Sequence, residues 1–141
     1  MPVVGMGGLM FRAKDPAVLK AWYRELLGIG GGLVPEGVDP GWQPGTGPAP
    51  GEQGHEYFWY PQPGPMVFEP FSETSDYFPS DKRVLINLRV RDMDGLVAKL
   101  GAAGIELAND LVEEGVGRFV RIHDPEGNPI ELWEPRTPPA G

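Results

Sequence analysis

The chain has 141 residues, 40% hydrophobic and 23% charged, with 21 Gly, 17 Pro and no Cys, which suits one compact domain, residues 1–141, rich in turns. Its formal charge of −8, with 12 basic residues scattered along the sequence, argues against a nucleic-acid partner, whose phosphates are met by clustered Lys and Arg. The lack of Cys excludes disulfides and thiolate chemistry, and no apolar run approaches a membrane span; with no basic leader segment at the start, a cytoplasmic location is expected.

In chain order, the first segment with a clear pattern is "FRAKD", Phe11 to Asp15. Asp15 and Pro16 read as a helix start, Leu19, Trp22, Tyr23, Leu26 and Leu27 recur at helical spacing, and Gly28 reads as the stop. "WYR", Trp22 to Arg24, reads as helix packing. From 34 to 54 follows a Gly/Pro-rich loop with no regular element, in which Trp42 has no core face to join and reads as a lid or a subunit contact. "HEYFWYP" (His55 to Pro61) reads as a strand, "QPG" (Gln62 to Gly64) as a turn and "PMVFEPF" as a second strand carrying Glu69 and Phe71; "GLV" (Gly32 to Val34) is a poor strand.

"LRVRD", Leu88 to Asp92, then repeats the order apolar, Arg, apolar, basic, Asp. Asp92 or Asp94 caps a second helix, with Met93, Leu96, Val97 and Leu100 as its apolar stripe and Gly104 as its end. "IELAN" (Ile105 to Asn109) and "GRFVRIH" (Gly117 to His123) read as strands. The turn "DPEGN" leads to the last strand, "PIELWEP", in which Glu131 is a lone carboxylate between apolar residues. Each half thus reads as β-α-β-β-β: module 1 covers about 1–78 and module 2 about 79–141. The fold class is α+β, with two tandem modules whose mixed sheets curve around a shared cup and helices outside.

Strand alternation sorts the side chains of these modules. Leu85, Asn87 and Arg89 share one face, opposite the apolar set Val84, Ile86, Leu88 and Val90, and by the same count Gly8, Met10 and Arg12 share a face. Each half therefore contributes one Arg to the face turned away from that apolar set. A buried carboxylate needs a cation or donors beside it, so Arg12 and Arg89 are read either as countercharges to Glu69 and Glu131 or as holders of a ligand oxyanion. Phe71 and Trp133 stand two residues after these glutamates and line the same face. His123 reads as a turn-edge group, and His55 as a residue near the cup mouth. There is no phosphate-binding loop, no dinucleotide fingerprint and no nucleophile elbow.

The doubled pattern, the "FRAKDPAVLKAWYRELLGI" opening and the terminal "DPEGNPIELWEP" resemble the vicinal oxygen chelate superfamily, which includes glyoxalase I, bleomycin-resistance proteins and extradiol dioxygenases. In metal-using members two glutamates and two early strand residues hold one divalent ion. The resemblance places Glu69 and Glu131 at the carboxylate positions and as candidate catalytic residues, but puts Gly8 and Leu85, which offer no donor, at the other two. Two carboxylates alone make a poor zinc site. No cofactor is expected; a weakly held divalent cation (Mg, Mn, Ni or Zn) on Glu69 and Glu131 is the alternative.

The resulting expectation is a small-molecule-binding protein resembling glyoxalase or bleomycin-resistance proteins, with an incomplete metal site and a ligand held by Arg12, Arg89, Asn87, Phe71, Trp133, Trp42 and Met10. The alternative is a divalent-metal-dependent lyase, isomerase or dioxygenase using Glu69 and Glu131. A third is an interaction protein that keeps the fold without the chemistry. A homodimer is expected from the resemblance.

Overall fold

The structure, a computed structural model, describes residues 2–32, 36–37 and 57–136. The loop residues Trp42 and His55 lie outside them. Helix α1, Pro16–Leu27, forms where the pattern places it: Asp15 Oδ1 accepts from the Val18 amide at 3.2 Å, Pro16 opens the first turn, and Gly28 closes the last at φ 69°. A left-handed cap of this kind suits glycine, which carries no Cβ. Leu19 and Tyr23, one turn apart, point inward, and Trp22, Leu26 and Leu27 pack beside them.

In the second half the order β-α-β-β-β is present in full: β1 (Ile86–Arg89), α2 (Met93–Ala102), β2 (Val112–Glu114), β3 (Gly117–His123) and β4 (Pro129–Pro135). They form one sheet in the order β1-β4-β3-β2, with β1 parallel to β4 and the other pairs antiparallel. Asp92 caps α2 by accepting from the Gly95 amide at 3.1 Å. Position 95 is glycine for a steric reason, since a Cβ there would stand 2.3 Å from the Asp92 carboxylate. Met93 and Leu100 are fully buried against Val120, Ile122, Ile130 and Leu132 of the sheet, and Leu19 and Tyr23 of α1 join the same cluster. Both helices thus cover one face, and each fully buried side chain there contributes about 1.5–3 kcal/mol.

Two strand expectations are corrected. Ile105–Asn109 is not a strand; the second strand of this module is Val112–Glu114. The reason lies in Asn109: its side-chain oxygen accepts from the Arg121 amide at 2.7 Å while Ala108 N–H donates to the Arg121 carbonyl at 2.7 Å. A side-chain amide therefore takes the place of a ladder partner and delays regular pairing. In the first half, none of the described residues forms a strand. Pro61, Pro63, Pro65 and Pro70 punctuate the stretch from Tyr57 to Phe71, and each removes a ladder donor; Gly5, Gly7 and Gly8 weaken the segment before α1. Two tandem modules around a cup are thus not what the described residues display: they form one four-stranded open sheet with two helices on one side.

Candidate functional site

The turn between β3 and β4 is built around a buried carboxylate. Asp124, 4% exposed, accepts from the Glu126 and Asn128 amides at 2.9 and 3.0 Å, from the Asn128 side chain at 2.7 Å and from the Tyr23 hydroxyl at 2.8 Å. Burial, and then the bond to Asp124, push the Tyr23 phenol far above its ordinary range. Glu126 reaches the other way and accepts from the Lys14 and Asp15 amides at 2.6 and 3.1 Å. "DPEGN" is therefore a fastening for α1, whose start is tied by Glu126 and whose buried face is tied by Tyr23. Both acids are committed to structure.

The second polar cluster lies on the opposite face of the sheet, away from the helices. Register places Asn87 beside Glu131 across the β1–β4 pair, and Arg121 beside Glu131 and Phe119 beside Trp133 across β3–β4. Glu131 is 8% exposed. Its Oε1 accepts from Asn87 Nδ2 at 2.8 Å; its Oε2 accepts from the Tyr77 hydroxyl at 2.5 Å and from Arg121 Nη2 at 3.5 Å. Arg121 also donates Nη1 to the Tyr77 carbonyl at 2.7 Å, and its guanidinium carbon lies 5.1 Å from the Tyr77 ring centroid, a cation–π contact. Its Nε–H is buried with no partner among the described residues. Tyr77 belongs to the irregular segment before β1 and packs on Phe71, ring centroids 5.1 Å apart. Burial, with the bond to Glu131 second, pushes its phenol up to about 12. Beside this cluster Trp133 and Phe119 lie parallel, 6.1 Å apart, and Trp133 Nε1 donates to the Val116 carbonyl at 3.0 Å.

The sequence-predicted residues divide accordingly. Asn87, Glu131 and Trp133 share the helix-free face, and Phe71 joins them through Tyr77. Arg89 shares that face by register but donates to the carbonyls of Gln62 and Pro63 at 2.7 and 3.4 Å. Gly64 leaves room for it, because a Cβ there would stand 1.9 Å from Arg89 Nη1. The cation beside Glu131 is therefore Arg121, not Arg89 or Arg12. Arg12 and Glu69 are exposed, and neither forms an ion pair among the described residues. Met10 is 90% exposed. Sequence reasoning missed Arg121 and Tyr77. Arg121 was accessible through the hairpin: a turn centred on Glu126 sets residue 121 opposite 131. Nothing in the sequence marked Tyr77.

Among the described residues, the donors around Glu131 do not make up a divalent-metal site. Gly8 and Leu85 offer no side-chain donor, Glu69 is exposed, and both oxygens of Glu131 already accept from protein donors, one of them a guanidinium that repels a cation. Among the described residues no three His, Asp or Glu side chains cluster as metal ligands. Chemically, the arrangement offers an acceptor, Glu131, a guanidinium with one N–H unused among the described residues, and a flat aromatic surface.

A sequence model of the glyoxalase-like domain matches residues 8–133 of this chain. No curated protein matches it significantly. A solved structure described as a conserved domain protein is similar at 18% identity and a TM-score of 0.35, over 38% of this chain and 47% of that one; the match spans about half of that structure's length. None of the helices among the described residues is long and apolar enough to cross a membrane.

Proposed function

The chain belongs to the glyoxalase-like domain family, and we propose that it is a metal-independent, small-molecule-binding member whose ligand lies on the helix-free face of the sheet. The observation that carries this reading is the state of Glu131: a nearly buried carboxylate in the last strand, satisfied by Asn87, Tyr77 and Arg121. A carboxylate so satisfied is already compensated for its burial without a metal ion. The parallel Phe119 and Trp133 rings beside it supply the flat apolar contact that small-molecule sites combine with a few convergent polar groups. The chain's charge of −8 favours neutral or cationic ligands over anionic ones.

In this reading Asn87, Trp133 and Phe71 line the ligand, Arg121 joins them, and Glu131 accepts from the ligand. Arg89 holds the 62–64 turn at the margin. The protein acts in the cytoplasm as a homodimer, whose contact covers part of the exposed apolar surface of the first half: Val4 is 98%, Met10 90% and Phe68 79% exposed.

The test is a titration of the purified protein, in the presence of a chelator, with a panel of neutral and cationic planar ring compounds, followed through tryptophan emission. Saturable binding that persists with chelator and is lost in Trp133→Leu is expected. Binding that appears only after a divalent ion is added would contradict the proposal.

A further inference from the structure

Tyr77 contributes two polar groups to the Glu131 cluster. Its hydroxyl donates to Glu131 and its carbonyl accepts from Arg121, while its ring lies against the guanidinium on one side and Phe71 on another. One residue thus supplies a donor, an acceptor and a ring to a site made by β1, β3 and β4, although it belongs to none of them.

The segment carrying it is held mostly by its own short-range bonds. Ser75 N–H donates to the Ser72 carbonyl, Tyr77 N–H to the Ser75 hydroxyl, and Lys82 N–H to the Pro79 carbonyl. Tyr77 is also 44% exposed, and the core lies on the other face of the sheet, so no core contact holds the phenol in its seat. Beneath it, Arg121 keeps one buried N–H without an acceptor among the described residues. A buried unsatisfied donor is costly, and an acceptor placed by an incoming molecule would satisfy it.

We propose that Tyr77 is an internal occupant of the ligand site, and that the ligand is a tyrosine-like small molecule, a phenol ring carrying a separate carbonyl acceptor, that displaces it. This rests on the reading of the helix-free face as the binding surface and names the ligand class and the gate for that surface. The ligand hydroxyl takes over the bond to Glu131, its carbonyl takes over Arg121 and reaches the unused Nε–H, and its ring extends toward Trp133. The site is closed by its own chain until such a molecule competes. No covalent step is involved.

The experiment uses the full chain and N-acetyl-tyrosine amide as probe, with N-acetyl-phenylalanine amide, which lacks the hydroxyl, as control. Affinities are measured by calorimetry for the wild type and Tyr77→Phe, and 3-fluorotyrosine labelling reports the environment of residue 77 by fluorine NMR. Tyr77→Phe keeps the ring and removes the competing donor, so the tyrosine probe should bind it at least about tenfold more tightly than it binds wild type, the ratio expected from removing one hydrogen bond to a charged acceptor. In wild type the fluorine signal of residue 77 should move, saturably, toward that of a solvated tyrosine, and the phenylalanine control should not produce the change.

Equal affinities for wild type and Tyr77→Phe, or equal binding of the two probes, would overturn the proposal. Ring compounds that quench Trp133 in both proteins while the signal of residue 77 stays still would overturn the gate and leave the binding face standing. Absence of saturable binding by any ring compound to folded wild type and folded Tyr77→Phe would remove the binding face itself, and the gate with it.

Discussion

Replacing Arg121 with Met removes the only cation within reach of Glu131 among the described residues and keeps most of the apolar stem. The Arg121 and Glu131 side chains are 15% and 11% exposed and 3.5 Å apart, close to the buried limit. Breaking such a pair on one side costs about 3–5 kcal/mol when the remaining charge is left bare. Here Asn87 and Tyr77 still donate to Glu131, which brings the loss toward the lower end. The bond to the Tyr77 carbonyl is lost as well, at about 1 kcal/mol, and removal of the unpartnered Nε–H returns a similar amount. The net expectation is a loss of roughly 3 kcal/mol, which at a urea slope of about 2 kcal/mol/M lowers the denaturation midpoint by roughly 1.5 M. Glu131→Gln is measured alongside, and the double variant should cost less than the two singles together by about 1–2 kcal/mol. A midpoint change below about 0.3 M for Arg121→Met, with strict additivity in the double variant, would refute the pairing of these two residues.

Three further outcomes are expected. Because the Tyr77 phenol is raised in the folded state to about 12 from an ordinary 10.0, the unfolded chain releases that proton first. Its stabilising contribution is therefore complete below pH 10 and is lost as pH rises toward 12; urea midpoints across that window should fall less steeply in Tyr77→Phe than in wild type, and parallel curves would count against the assignment. Asp124→Ala leaves the Tyr23 hydroxyl and the 124–128 turn amides without their acceptor and should lower stability by about 3 kcal/mol, read by thermal melting, whereas Glu126→Ala, which affects an exposed cap at the start of α1, should cost only about 1. Light scattering at micromolar concentration should give a mass twice the 15.4 kDa of the chain; the single-chain mass would remove the dimer.

The parts of the fold that were legible in the sequence are those where local chemistry and burial agree. Asp15, Pro16 and Gly28 bound α1, and the apolar stripe between them is the stripe that packs. The "DPEGN" turn and the strands on either side were readable because Gly and Asn break the chain between two apolar runs. The same reading failed between Tyr57 and Phe71, where aromatic and β-branched residues suggested strands but four prolines interrupt the ladder. It failed at Ile105–Asn109 because one asparagine side chain replaced a backbone partner. Glu131 was conspicuous as a charge within an apolar strand. Its cation was misassigned because both halves were assumed to use equivalent arginines near the start of each helix, when the cross-strand neighbour in the hairpin was nearer. Tyr77 was invisible for a different reason: it sits in an irregular segment and reaches the site by tertiary contact across 54 positions of sequence, which no periodicity reveals.

Glu131 is satisfied by Asn87, Tyr77 and Arg121, an arrangement that calls for no metal ion. The direct measurement is the metal content of protein purified without chelator from cells grown with added Mg, Mn, Ni and Zn, compared with that of Glu131→Gln. Far less than one ion per chain in both proteins is the predicted result. One tightly held ion per chain in the wild type that disappears in Glu131→Gln would contradict it.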